Sequence, residues 1–161
     1  MRRNYGSMLV LLEDLRPLRR VLEFGAGDYS TSYFLGLPEL EVLVSVEDDP
    51  RWIERVSSSD PRHTITSRRR DPAGYELVLV DDGGGPGGPG RRAETIRFVL
   101  ARRHPIVVIH DADEAKYVEV VESLGVPYVL DDSSFPPSLV IDPKELSHRE
   151  DSSHRLARSP G

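Results

Sequence analysis

Short apolar runs alternate with helix-forming segments over most of this 161-residue chain. Two of the runs, residues 76–81 and 105–109, are apolar almost throughout instead of at every second position, which is typical of parallel strands buried on both faces. The predicted strands cover residues 20–24, 41–47, 63–66, 76–81, 105–109, 128–130 and 139–141. The helices predicted between them cover residues 30–36, 51–56, 91–103 and 113–125. This alternation predicts an α/β fold with a doubly wound, mostly parallel sheet.

The last two predicted strands are joined by a short turn that contains Phe135, Pro136 and Pro137. Two parallel neighbours need a crossover of about a dozen residues or more, usually a helix. The turn is too short for a helix, so we expect a hairpin with one antiparallel strand at the sheet edge. In contrast, residues 82–90 are mostly glycine, and no regular element is predicted there.

Composition limits the chemistry that the chain can perform. It has no cysteine, which excludes disulfides, thiolate metal sites and a cysteine nucleophile. Its 21 basic residues comprise 19 Arg and only 2 Lys, so mechanisms that need several lysines are excluded. With 27 acidic residues the net charge is −6, which argues against a general nucleic-acid binder.

The same sequence limits location and domain organisation. No run of about 18 apolar residues is present, and the first 20 residues lack the pattern of a signal peptide. We therefore expect a cytoplasmic protein that does not associate with membranes. Residues 1–144 are predicted to form a single domain, and residues 145–161, which have no periodicity, a disordered tail.

Residues at the carboxyl ends of the first two strands predict a nucleoside-containing ligand. Gly25 and Gly27 follow the first strand, and Glu47 ends the second. Glycines in such a loop allow a ligand to approach the backbone, and a carboxylate roughly 20 residues later can accept hydrogen bonds from ribose hydroxyls. The alternative is that the glycines only permit a tight turn from strand to helix.

Four segments in order resemble the motifs of one enzyme family. VLEFGAGDYST resembles motif I of the class I S-adenosylmethionine-dependent methyltransferases. VSVEDDPRWIERV is similar to the acidic motif of the family's second strand, and YELVLVDDG to its fourth-strand motif. RRAETIRFVLARRHPIVVIHDADEAKY resembles the helix and fifth strand that follow. The resemblance runs from Val21 to Ile141 and points to a small, minimal-domain branch of the family.

This resemblance implies a fold, a cofactor and a set of site residues. The fold would be a Rossmann-like sheet of about seven strands with the last strand antiparallel and helices on both faces. The cofactor would be S-adenosyl-L-methionine. The cofactor-binding residues would be Glu23, Gly25, Ala26, Gly27, Ser30, Glu47, Asp48 and Asp81. Within this set Glu23 anchors the loop or approaches the methionine amino group through water, Glu47 holds the ribose hydroxyls, and Asp48 lies beside the adenine.

Catalysis in this family requires little of the protein, because a sulfonium methyl group is already activated. The protein aligns a nucleophile, excludes water and, where needed, accepts a proton. The candidate catalytic residues are Asp81, Asp82, His110 and Asp111. For Asp81 a capping role is the alternative, and for His110 a structural one. Asp81 and Asp111 also resemble the carboxylates of magnesium-dependent O-methyltransferases, but Ala112 stands where an Asn is typical, and we predict no metal.

Other features leave specificity open. The segment 67–74 is too short for the usual helix and lacks the acidic residue that meets adenine, for which Asp71 is a weak substitute. The glycine-rich residues 82–90 predict either a mobile lid or a plain surface loop. Arg91 and Arg92, with residues 68–70, predict either an anion site or solvated positions.

The sequence therefore predicts a methyltransferase that acts on an O or N atom of an unidentified small-molecule or macromolecular acceptor. Specificity would come from the loops, the N-terminal helix, a homo-oligomer or a partner subunit. Two alternatives stay open: a non-catalytic nucleoside-binding module and, with weaker support, an NAD-dependent oxidoreductase. Ser30 stands where the third glycine of a dinucleotide fingerprint would be, which argues against the latter.

Overall fold

Five helices and seven strands alternate along the part of the chain that the computed structural model describes, residues 6–83, 88–132 and 136–144. The strands are β1 (Arg20–Phe24), β2 (Val42–Val46), β3 (His63–Thr66), β4 (Leu77–Val80), β5 (Ile106–Ile109), β6 (Val129–Asp131) and β7 (Ser138–Ile141). The helices are α1 (Gly6–Asp14), α2 (Ser30–Gly36), α3 (Pro50–Val56), α4 (Gly88–Leu100) and α5 (Ala115–Ser123). Within the described residues, no helix has the length and apolar character needed to cross a membrane.

The strands form one sheet in the order β3-β2-β1-β4-β5-β7-β6. Strands β1 to β5 are parallel, and β7 is antiparallel to both of its neighbours. The predicted Rossmann-like, mostly parallel sheet of seven strands with an antiparallel last strand is therefore confirmed. The chain order reverses direction between β1 and β4, so the loops that follow these two strands open a crevice at the carboxyl edge of the sheet.

The prediction that the antiparallel strand lies at the sheet edge is wrong. Strand β7 lies between β5 and β6, and β6 is the edge strand. Burial explains the order: Leu139 and Ile141 of β7 are fully buried, whereas Val129 and Leu130 of β6 are about half exposed. The strand whose apolar side chains are buried, β7, occupies the inner position. The connection between β6 and β7 includes residues 133–135, which lie outside the described residues.

The side chains of each strand alternate between two hydrophobic cores. Leu22 and Phe24 of β1 point to the face covered by α4 and α5, where Ile96 and Val121 pack against them. Val21 of the same strand points to the other face, which is covered by α1 and α2. Helices therefore cover both faces, as predicted, and both cores hold the strand ends rigidly in place.

Helix α4 begins earlier than the sequence predicts. It starts at Gly88, inside the stretch for which no regular element is predicted. Glycine in a helix costs about 1 kcal/mol relative to alanine, but the packing of Ile96 and Val99 against the sheet holds the helix, and tertiary contacts override local propensity. The predicted lid falls partly on residues 84–87, and the predicted tail on residues 145–161; both lie outside the described residues.

Candidate functional site

A cavity of about 450 Å³ lies at the carboxyl edge of the sheet. The loop after β1 forms its middle, the end of β2 forms one side, and the ends of β4 and β5 form the other. We call these two sides the β2 end and the β5 end. The residues that line the cavity are Met8, Gly25, Ala26, Gly27, Asp28, Tyr29, Ser30, Val46, Glu47, Trp52, Asp81, Asp82, Gly83, Arg91, Arg92, Asp111, Glu114, Lys116 and Tyr117.

Gly25 brings the loop after β1 into direct contact with the loop after β4. Its φ is +88°, and a Cβ at this position would lie 2.6 Å from backbone atoms of Asp81 and Asp82. Its N–H donates to the carbonyl of Val46 on β2 at 3.0 Å. The space around Gly27 is different, since a Cβ there would make only an ordinary contact of 3.7 Å with Ser30 Oγ. Glycine is thus required at position 25 by the protein itself.

Glu23 supports this loop from below. It is 0% exposed, and its carboxylate accepts hydrogen bonds from three hydroxyls: Ser30 Oγ, Thr31 Oγ1 at 2.8 Å and Ser45 Oγ at 2.8 Å. The N–H of Gly27 in turn donates to Thr31 Oγ1. Burial raises the pKa of Glu23 to about 7, although the three hydroxyls act to lower it.

Ser30 and Thr31 are residue types that favour the N-cap of a helix, but they do not occupy that position in α2. The N-cap residue is Tyr29, and its side chain makes no capping hydrogen bond. Ser30 and Thr31 instead turn toward β1, because the buried carboxyl of Glu23 needs donors. Of the two roles predicted for Glu23, its position beneath the loop matches that of an anchor.

Glu47 is the carboxylate at the β2 end of the cavity. It is 9% exposed, and its Oε1 accepts hydrogen bonds from the backbone N–H groups of Asp48 and Asp49, both at 2.8 Å. These two bonds fix the side chain in one orientation. Its second oxygen, Oε2, has no hydrogen-bond partner among the described residues, so it can accept hydrogen bonds from a ligand in the cavity.

Two further side chains complete the β2 end. Trp52, on α3, lies half-buried in the cavity wall and follows Glu47 by five residues. Asp48 forms an ion pair with Arg91 of α4, and Arg91 lines the cavity from the opposite side. The Nε atom of Arg91 also lies 3.7 Å from Asp82 Oδ2. The pair thereby connects the β2 end with the start of α4.

Arg92 is the centre of the β5 end. The residue is 4% exposed, and all five of its side-chain N–H groups donate hydrogen bonds. Nε donates to the Asp82 carbonyl, Nη1 to the His110 carbonyl and Asp111 Oδ2, and Nη2 to the Asp81 carbonyl and Asp81 Oδ1. These distances are 2.9 or 3.0 Å throughout. One side chain therefore ties the ends of β4 and β5 together.

The surroundings of Arg92 are adapted to its guanidinium. Its Cζ lies 5.0 Å from the centre of the Tyr117 ring, a cation–π distance. A Cβ at Gly83 would lie 2.7 Å from Nη2, so glycine leaves the room that the guanidinium fills. Burial acts to lower the pKa of Arg92, but the charges of Asp81 and Asp111 outweigh it and raise that pKa above its usual value.

These contacts overturn both interpretations of Arg92. Arg92 is neither a solvated residue nor an anion site, because its donors are all engaged within the protein. Residues 68–70 are exposed, and Arg69 forms an ion pair with Glu94. Asp71 is also exposed and accepts from Ala73 N in a local turn. Neither of the last two segments lines the cavity.

Three acidic groups and one histidine surround the guanidinium. Asp81 Oδ1 lies 3.3 Å from His110 Nδ1, and Asp111 adopts a left-handed φ of 60°. Asp82 accepts a hydrogen bond from Thr95 Oγ1 at 2.6 Å through Oδ2, while its buried Oδ1 has no hydrogen-bond partner in the part of the chain that the structure describes. Burial raises the pKa of Asp82, against the lowering effect of Thr95, Arg92 and Arg91.

The structure brings most of the predicted site residues to one cavity. Those in its wall are Gly25, Ala26, Gly27, Ser30, Glu47, Asp81, Asp82 and Asp111. Of three others, Glu23 and His110 are buried behind the wall and Asp48 is exposed beside it; each contacts a residue that forms the wall. Sequence analysis missed Trp52, Lys116 and Tyr117. The signal for Trp52 was available, since it is the chain's single tryptophan and follows Glu47 by only five residues.

Comparison with known proteins identifies the fold. No protein-family model matches the chain, and no curated protein matches it in sequence. Spermidine synthase from Thermotoga maritima is 15% identical with a TM-score of 0.58 over 85% of this chain, which spans 58% of that chain. An O-methyltransferase from Bacillus cereus, in complex with SAH, is 14% identical with a TM-score of 0.57, covering 87% of this chain and 80% of its own. The methyltransferase domain of bacterial CtHen1 is 13% identical with a TM-score of 0.58, covering 84% of this chain and 95% of its own.

The chain therefore has the fold of the class I S-adenosylmethionine-dependent methyltransferases. The resemblance of its four motifs to that family is confirmed at the level of the fold. The roles assigned to individual side chains remain predictions.

Proposed function

We propose that this chain is an S-adenosylmethionine-dependent methyltransferase that transfers a methyl group to an O or N atom of an acceptor. The observation that carries the proposal is the state of Glu47. Two backbone N–H groups hold one carboxylate oxygen, and the other has no partner among the described residues at the wall of the cavity. A carboxylate fixed in this way is suited to accept hydrogen bonds from the two hydroxyls of a ribose.

The remaining wall residues suit the other parts of the cofactor. Trp52 offers an aromatic surface beside Glu47, where an adenine would lie. The loop from Gly25 to Gly27 offers backbone groups without side chains, where the methionine part would pass. The cofactor would then run from the β2 end toward the β5 end, and its sulfonium methyl group would face Asp81.

Asp81 is the side chain best placed to meet the acceptor. One of its oxygens, Oδ1, is held by Arg92 and lies near His110, and the side chain is only partly buried at the cavity wall. Its other oxygen, Oδ2, can orient an acceptor O–H or N–H and receive the proton that leaves when the new bond to the methyl carbon forms. Most of the rate would come from alignment of the acceptor with the sulfonium and from exclusion of water.

Calorimetric titration with S-adenosylmethionine, S-adenosylhomocysteine and NAD tests the cofactor. We expect binding of the first two and not of NAD. Glu47→Ala should weaken S-adenosylhomocysteine binding by about 1–3 kcal/mol, the value of charged hydrogen bonds. Glu41→Ala is the matched control, because Glu41 precedes the same strand and lies exposed at its opposite end beside Arg19. The proposal would be contradicted if Glu47→Ala bound S-adenosylhomocysteine as tightly as wild type, or if the protein bound NAD tightly and neither of the other two ligands.

Transfer of tritiated methyl groups into a cell extract separates an enzyme from a non-catalytic nucleoside-binding module. We expect incorporation with the wild-type protein and at least about a hundredfold less with Asp81→Asn, the range typical of lost acid–base groups. Binding of S-adenosylhomocysteine without any incorporation would favour the module instead.

A further inference from the structure

The β5 end of the cavity contains a set of side chains that could hold a metal ion. One ligand atom from each of Asp81, His110 and Asp111 lies within 4.8 Å of the others. Carboxylate oxygens at the ends of neighbouring strands are the ligands that Mg²⁺ and Mn²⁺ prefer. The question is whether these groups are available to a metal ion in this protein.

We propose that Arg92 occupies the place of a cation between the two carboxylates, so that the site works without a divalent metal and Asp81 contacts the acceptor directly. The guanidinium bridges Asp81 Oδ1 and Asp111 Oδ2, with both N–O distances 2.9 Å. One oxygen of each carboxylate is therefore paired with a fixed positive charge, which lies between the two groups where a metal ion would bind.

A metal ion and this guanidinium cannot share the site. Arg92 has no spare donor and is 4% exposed, so a metal that displaced it would leave a buried cation without partners. Gly83 leaves space for the guanidinium where any side chain would collide with Nη2. The loop after β4 and the start of α4 are thus both shaped around this one side chain.

The consequence for the substrate rests on the proposed function. A metal could bind an acceptor through a chelating pair of oxygens, whereas a guanidinium whose donors are all engaged cannot. The group left to receive the acceptor is Asp81, which is a hydrogen-bond acceptor. The substrate class that fits is an alcohol, phenol or amine that presents an O–H or N–H to the carboxylate, with no requirement for a chelating diol.

Titration of Mn²⁺, followed by its electron paramagnetic resonance signal, tests the proposal on the full chain. The wild-type protein should bind no Mn²⁺ at millimolar concentration. Arg92→Ala should bind Mn²⁺ at least about tenfold more tightly than wild type, because a positive charge next to two carboxylates is removed. Adding Asp111→Asn to Arg92→Ala should abolish that binding.

Arg91→Ala is the matched control. It removes the same charge from the neighbouring position of α4, but Arg91 pairs with Asp48 and not with Asp81 or Asp111, so Mn²⁺ binding should stay as in wild type. Arg92→Gln replaces Arg92→Ala if the alanine protein does not fold. If neither folds, the wild-type titration decides alone: no binding supports the proposal.

Two results would overturn the proposal. One is wild-type binding of Mn²⁺ that Asp111→Asn abolishes, and the other is a folded Arg92 variant that binds no more tightly than wild type. Calorimetry with S-adenosylhomocysteine, with and without EDTA, runs separately. A failure to bind S-adenosylhomocysteine would contradict the proposed function and leave the Mn²⁺ result standing.

Discussion

Two parts of the cavity wall, the loop after β1 and the β5 end, each rest on one buried ionisable side chain, and these two side chains are stabilised in different ways. Within the described residues, Glu23, below the loop after β1, receives hydrogen bonds from three neutral hydroxyls and from no cationic side chain. Arg92, between β4 and β5, donates to two carboxylates and three carbonyls. The charge of Arg92 is compensated, whereas that of Glu23 is not, which is why burial raises the pKa of Glu23 to about 7.

This difference indicates a division of labour. Hydroxyl donors hold the Glu23 carboxyl in place without placing a fixed charge under the region where a ribose and a methionine would bind. Fixed charges instead concentrate at the β5 end, where a proton would move. The loop after β1, with Gly25 and Gly27, is thus held by neutral hydrogen-bond donors, whereas the β5 end is held by a network of ion pairs.

Removing Arg92 should have the largest effect on stability. In Arg92→Met the buried carboxylate of Asp111 and the partly buried carboxylate of Asp81 lose their cation. Breaking a buried ion pair costs about 3–5 kcal/mol. We expect this loss in the free energy of unfolding measured by urea denaturation. A loss below about 1 kcal/mol would mean that the network is no stronger than a surface ion pair, and the comparison would fail.

Gly25→Ala should cause the second-largest loss of stability, because at Gly25 the loop after β1 contacts the loop after β4. A left-handed φ of +88° and a Cβ 2.6 Å from the backbone of the β4 loop together predict a loss of about 3 kcal/mol. Gly27→Ala is the control, with ordinary contacts only. The control should keep its stability and weaken S-adenosylhomocysteine binding. Equal stability of the two variants would show that the loops are not packed as described.

Glu23→Gln should change the pH dependence of stability. The pKa of Glu23 is about 7 in the folded protein against a usual value of 4.5, so the folded state keeps the proton to a higher pH than the unfolded state does. Its contribution is complete below pH 4.5 and is lost as the pH rises through about 7. From pH 5.0 to 6.5 the wild type should lose about 2 kcal/mol relative to the variant.

The comparison of the two proteins isolates Glu23. His63 and Asp82, whose pKa values are also shifted by burial, titrate in both of them. Urea denaturation at several pH values measures the difference. Parallel curves for wild type and Glu23→Gln would contradict the claim that this carboxyl is buried without a compensating charge.

The smallest effect is expected for Arg91→Ala. Arg91 adjoins Arg92 in the chain, yet its ion pair with Asp48 is partly exposed. Such pairs contribute about 0–1 kcal/mol, and denaturation should detect little change. If Arg91→Ala lowered the free energy of unfolding as much as Arg92→Met, stability would depend on the total charge of α4 and not on the buried network around Arg92.

The sequence predicts those features that depend on local patterns. Apolar runs gave the strands, and the spacing from Gly25 to Glu47 led to the β2 end of the cavity. The partners of Arg92 could not be found this way, because Asp81 and Asp111 lie 11 and 19 residues away and meet it only through the sheet. An isolated arginine after a glycine-rich stretch is typical of a solvated helix start, and burial depends on the tertiary structure.

The same limit applies to other features of the fold. Ser30 and Thr31 are typical N-cap residues, but the buried Glu23 competes for their hydroxyls. The pairing of β6 with β7 follows from the short turn, whereas the inner position of β7 depends on which strand buries more apolar surface.

A crystal structure of the protein with S-adenosylhomocysteine would show where the ligand lies in this cavity. We predict that the ribose hydroxyls lie within hydrogen-bond distance of Glu47 Oε2, that the adenine lies against Trp52, and that the sulfur faces Asp81. A ligand bound outside this cavity, or one whose ribose lies at the β5 end, would contradict the account.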